Sequence, residues 1–82
     1  MPLTIEIYTD NIRTVCYKIS GFSEKEISEL NSMDYREMKS VINAAVRHRS
    51  DNVPACFVPN AEKILSAWTR DDAVFVEVGK EA

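Results

Sequence analysis

Apolar and polar positions alternate at the start of the chain. Leu3, Ile5 and Ile7 are interleaved with Thr4, Glu6 and Tyr8, and Val15, Tyr17 and Ile19 with Thr14, Cys16 and Lys18. A period of two is that of a half-buried strand. Asp10-Asn11 lies between the two runs, and both residue types tolerate the left-handed backbone of a tight turn. The segment therefore predicts a β-hairpin. A two-residue loop at Asp10-Asn11 pairs Ile7 with Thr14 and Ile5 with Cys16, which mixes the faces. A three-residue loop, Asp10 to Ile12, pairs Ile7 with Val15, Ile5 with Tyr17 and Leu3 with Ile19. It leaves Thr4/Lys18, Glu6/Cys16 and Tyr8/Thr14 on the other face. A one-residue slip would bury charges, so the second register is expected, with one core face and one wet face.

Two helix starts follow. Phe22-Ser23-x-x-Glu26-Ile27 is a capping box: Ser23 caps the amide of Glu26, Glu26 reaches back, and Phe22 staples to Ile27. Met33-Asp34-x-x-Glu37-Met38 repeats the grammar with Asp34 as the cap. These predict a short helix, a tight corner and a longer helix over about 34–49. At about 100° per residue, Met38, Val41, Ile42, Ala45 and Val46 share one arc, with Tyr35 at its edge. Arg36, Lys39, Ser40, Asn43 and Arg47 take the opposite side. Arg47-His48-Arg49 ends the helix, where positive charge complements its dipole.

Residues 53–59 are apolar but bracketed by prolines, which suits an extended connector or an edge strand. Asn60 is placed to cap a third, short helix bearing Ile64, Leu65 and Trp68. Arg70-Asp71-Asp72 reads as a turn, and Ala73 to Val78 as the third strand. The expected architecture is α+β in the order ββααα-β, with helices on the apolar face of a small, mainly antiparallel sheet.

At 82 residues the chain is expected to be a single compact domain, residues 1–82. It is 45% hydrophobic and 28% charged, which argues against disorder. No apolar stretch is long enough to cross a bilayer, so no membrane role is expected. Met1 to Leu3 do not open a secretory signal. With only two cysteines, Cys16 and Cys56, reduced thiols in a cytoplasmic setting are the default.

Net charge is −3, the opposite of a generic nucleic-acid binder. Charge is nevertheless unevenly placed. Glu24, Glu26, Glu29 and Asp34 against Lys25 leave residues 23–35 acidic; Arg36, Lys39, Arg47 and Arg49 against Glu37 leave 36–50 basic.

Candidate chemistry is sparse. Cys16, His48 and Cys56 are the soft or nitrogenous ligand types, and they lack the close pairs of a zinc site, so no metal is expected. Nothing local activates either thiol as a nucleophile: Cys16 sits opposite Glu6 in the expected register, which disfavours a thiolate. Glu24, Glu26 and Glu29 fall in the first turns of a helix, where negative charge is favourable without any catalytic role. No cofactor and no enzymatic activity are expected.

What remains is surface. Arg36, Lys39, Asn43 and Arg47 form a basic stripe; Tyr8 on the wet sheet face, with Phe57 and Val58 between the prolines, offers apolar anchors. The expectation is a non-catalytic protein-binding module whose partner is another protein or a second copy as a homodimer. An inhibitor, adaptor or accessory protein of a larger bacterial or phage-type machine fits that description. The alternative is a nucleic-acid-binding regulator using the basic face of the second helix. It ranks lower because four positive groups beside an acidic helix make few phosphate contacts.

Overall fold

The computed structural model describes residues 2–50 and 64–79. Its elements are β1 (Thr4–Asp10), β2 (Thr14–Ser20), α1 (Glu24–Ser32), α2 (Tyr35–Arg49), β3 (Ile64–Arg70) and β4 (Ala73–Gly79). The strands form one antiparallel sheet in the order β1-β2-β4-β3. The α+β class holds, but the order among the described residues is ββαα-ββ.

The expected third helix is the correction. Ile64, Leu65 and Trp68 lie on a strand. Their spacing permits one arc of a helix, but β4 decides the matter. β4 is buried on both faces, with Val74, Val76 and Val78 wholly inaccessible. A central strand must satisfy backbone groups on both edges. β2 serves one edge, and residues 64–70 serve the other through the turn at Asp71-Asp72. Asp71 takes the left-handed φ of 56° that this turn requires. Residues 53–59, including Cys56, Phe57 and Val58, lie outside the described residues.

The hairpin of β1 and β2 forms, but its register is two residues away from the expected one. Ile5 faces Ile19, Ile7 faces Tyr17, Glu6 faces Lys18 and Thr4 faces Ser20. A shift of two keeps every side chain on its face, so sorting by face cannot distinguish the registers. Cross-strand chemistry does: Glu6 now meets Lys18 and Thr4 meets Ser20, pairs of opposite charge and of hydroxyls. A bulge between Ile7 and Thr9 then sets Thr9 opposite Cys16.

Both helix caps form as the sequence dictates. The Glu26 N–H donates to Ser23 Oγ at 3.1 Å, and the Ser23 N–H donates to Glu26 Oε1 at 2.9 Å. The Glu37 N–H donates to Asp34 Oδ1 at 2.9 Å. Phe22 and Ile27, the staple, are both buried. Gly21 links β2 to α1 at φ +116°; a Cβ there would stand 2.8 Å from the Pro2 carbonyl oxygen, so the crossing requires glycine.

The helices cover one face of the sheet. Ile27, Leu30, Ile42 and Val46 join Val15, Ile19, Ile64, Val74, Val76 and Val78 in the main core. Each such aliphatic side chain contributes roughly 1.5–3 kcal/mol by leaving water. α2 is turned about its axis relative to its apolar arc. Ile42, Asn43 and Val46 are its buried residues, while Val41 is exposed. The turn brings Tyr35 and Lys39 onto β3. The Tyr35 hydroxyl donates to the Leu65 carbonyl, and Lys39 Nζ donates to the Ile64 carbonyl at 3.3 Å.

Candidate protein-docking face

No described helix covers the other face of the sheet. Its residues follow from strand alternation. Glu6, Lys18, Phe75 and Trp68 form one row across β1, β2, β4 and β3. Thr9, Cys16, Glu77 and Ser66 form the next. Cys16, Ala73 and Phe75 make a small second core here, separate from the one under the helices.

Phe75 is the centre of an aromatic cluster. The Trp68 ring stacks on it with centroids 5.8 Å apart and planes 7° from parallel. The Tyr8 ring meets it edge-on at 4.9 Å. Phe75 is buried, but Tyr8 and Trp68 remain 53% and 39% exposed. The cluster therefore has a fixed centre and two accessible flanks. A depression of about 250 Å³ opens beside it, lined by Tyr8, Lys18, Arg70, Asp71, Asp72, Ala73 and Phe75. A larger one, about 370 Å³, lies between α1 and the β3–β4 turn, but Ile27 is its one apolar wall. The first is the one that borders the aromatic cluster, with Lys18, Arg70, Asp71 and Asp72 around it.

The side chains above this face are fixed by local rules. Trp68 and Phe75 are directly opposed because the Asp71-Asp72 turn pairs Arg70 with Ala73 and counts outward. Tyr8 keeps to this face, and the bulge brings Thr9 to it as well. Cys16 is buried, and its thiol is held above the ordinary value by burial first and by the nearby Glu77 carboxylate second; a hydrogen bond with Thr9 opposes them. A thiol so held is a packing group at neutral pH.

The residues singled out from the sequence separate. Tyr8 belongs to the cluster. Arg36 and Arg47 are exposed and lie in line along α2, about 16 Å apart at 1.5 Å per residue. Lys39 is not part of an exposed stripe: it turns inward, bonds the Ile64 carbonyl and lies 4.9 Å from the Tyr35 ring centroid. Asn43 is not exposed either. It is buried at 6% exposure, and its Oδ1 has no hydrogen-bond partner among the described residues. Arg49 pairs with Glu26, lies over the Phe22 ring and reaches the Gly21 carbonyl at 3.5 Å. The basic face thus shrinks to two arginines, because the helix rotation spends its other cations on contacts within the fold. Phe57 and Val58 lie outside the described residues.

Sequence reasoning missed Phe75 and Trp68. The signal was present: a two-residue turn at Asp71-Asp72 sets Trp68 opposite Phe75 once residues 64–70 are taken as a strand.

Among the described residues no three His, Cys, Asp or Glu side chains gather as a metal site. No helix among them is long and apolar enough to cross a membrane. No family model matches the chain, and neither a curated protein nor a solved structure matches it.

Proposed function

We propose that this chain is a non-catalytic protein-binding module that docks its partner on the helix-free face of the sheet. One observation carries the reading: Tyr8, Phe75 and Trp68 form an aromatic cluster on that face, with its two flanks in solvent. Rigid aromatic side chains at the centre of a charged rim are the usual anchors of protein interfaces. Lys18 and Arg70 beside the depression, with Glu6 and Glu77 on the same face, provide a rim of both signs. The partner expected is a protein presenting an apolar or aromatic side chain to the depression. An inhibitor, adaptor or accessory role within a larger assembly fits this use of a small module.

The alternative, a nucleic-acid-binding regulator, draws less support. Its helix face retains Arg36 and Arg47, and a net charge of −3 opposes phosphate binding. The aromatic cluster does not help it. Its nearest charges are of both signs, Lys18 and Arg70 against Asp71 and Asp72, rather than the basic groove that tracks a phosphate backbone.

The test is co-purification from the source cell's lysate with three baits: wild type, Tyr8→Ala with Trp68→Ala, and Arg36→Glu with Arg47→Glu. Each is run at about 0.1 M and about 0.5 M salt, where the Debye length falls from roughly 10 Å to under 5 Å. A protein held at both salts by wild type and by the arginine variant, but lost by the folded aromatic variant, supports the reading. Retention unchanged by the aromatic variant refutes it. Nucleic acid held at low salt and lost with the arginines favours the regulator.

A further inference from the structure

The two outer strands of the sheet are not equivalent. At β3 the edge is stoppered. The chain bulges between Ile64 and Ser66, and the carbonyls of Ile64 and Leu65 are occupied by Lys39 and Tyr35 from α2. β1 is bare by comparison. Every residue of it except Ile5 is exposed, and Ile7 is 62% exposed on the side of the sheet that the helices cover. Among the described residues, no side chain bonds a backbone carbonyl between Thr4 and Thr9. β1 bulges too, between Ile7 and Thr9, but no side chain from a described helix closes it, and an exposed edge carrying Ile7 between Glu6 and Tyr8 is a template for another strand.

We propose that two copies of this chain pair edge to edge through β1, antiparallel, about a two-fold axis at Ile7. A two-fold axis requires the strand to run antiparallel to its own copy, and it places one residue against itself. With Ile7 on the axis, the two exposed isoleucines cover each other on the helix side. Glu6 of each copy stands opposite Tyr8 of the other on the open face, so no like charges are directly opposed. An axis at Glu6 would set two carboxylates against each other.

The edges differ where pairing would extend: at β3 the carbonyls of Ile64 and Leu65 are taken by Lys39 and Tyr35, so the dimer's eight-stranded sheet ends on strands whose first two carbonyls are occupied. The bulge between Ile7 and Thr9 lies beside the axis in each copy and limits the regular pairing, so the dimer is weak and concentration-dependent. It also sets the two open faces side by side and doubles the aromatic docking surface. Tyr8 borders both the seam and the aromatic cluster, but Ile7 lies on the opposite face from Tyr8, Phe75 and Trp68, so Ile7→Lys tests the pairing without altering the cluster.

The experiment is sedimentation of the full chain from low to high micromolar concentration, beside Ile7→Lys. Wild type is expected to move from 9.3 kDa towards twice that mass, and Ile7→Lys to remain at 9.3 kDa with an unchanged circular dichroism spectrum. A second arm compares disulfide cross-linking of Ile7→Cys with that of Ile12→Cys, whose site is 94% exposed at the hairpin tip. Residues facing across an antiparallel axis lie within disulfide reach, so Ile7→Cys is expected to cross-link much faster. A wild type that stays monomeric overturns the inference, and so does a dimer that survives Ile7→Lys. If Ile7→Lys fails to fold, equal cross-linking of the two cysteine variants overturns it instead.

Discussion

The Tyr35 hydroxyl, in the first turn of α2, donates to the carbonyl of Leu65, the residue at which β3 bulges away from β4. The bond spans thirty positions of sequence. It joins the start of the longer helix to an outer edge of the sheet, and Lys39 one turn later joins the adjacent carbonyl.

Tyr35→Phe removes that donor and little else. The bond is exposed, so its loss is expected to cost about 0.5–1 kcal/mol. Lys39→Met should add a comparable loss by freeing the Ile64 carbonyl. Urea unfolding midpoints measure both, and an unchanged midpoint in the double variant would show that the stopper contributes no stability.

The cap of α1 makes a pH-dependent prediction. The Glu26 carboxyl is held below its ordinary value, first by the Ser23 N–H and then by the Arg49 guanidinium. A carboxylate depressed in the folded state stabilises the fold above its unfolded value and ceases to do so as pH falls through its folded one. The gap in melting temperature between wild type and Glu26→Gln should therefore be full at neutral pH and close in acid. Ser23→Ala should cost about 1 kcal/mol at neutral pH.

Asn43 presents the opposite case. Its Oδ1 is buried without a partner among the described residues, and an unsatisfied acceptor costs roughly 1–3 kcal/mol. Asn43→Leu, similar in size, is expected to raise the thermal midpoint, whereas Asn43→Asp should lower it by burying charge. A destabilised leucine variant would show that the amide is bonded in solution.

Cys16 should resist alkylation in the native state. It is 5% exposed, and its thiol is raised above the ordinary value by burial and by Glu77. At neutral pH, iodoacetamide is expected to label it only after denaturation, as read from the mass of its own peptide. Rapid native labelling would contradict both its burial and its protonation.

Periodicity, caps and turn residues act over a few positions, and that is why much of the fold was legible. The alternation in residues 3–19 determined a hairpin and its faces. Ser23 and Asp34 determined two helix starts, and Asp71-Asp72 determined a turn before an apolar strand. Tyr8 was legible as an aromatic on the wet face for the same reason.

Contacts between distant residues decided the rest. Ile64, Leu65 and Trp68 suit a helix by spacing, and only the unmet edge of β4 makes them a strand. Registers two residues apart sort side chains identically, so the opposition of Glu6 to Lys18 had to choose between them. The apolar arc of α2 does not reveal that Tyr35 and Lys39 find carbonyls on β3, a pairing that turns Asn43 inward and disperses the basic stripe. The aromatic cluster arises only when β1, β4 and β3 are set in one sheet. The sequence by itself determined the elements and their faces, because those depend on neighbours along the chain. The tertiary structure alone decided strand order, helix rotation and the docking face, because those depend on backbone groups and rings that meet only after the chain has closed on itself.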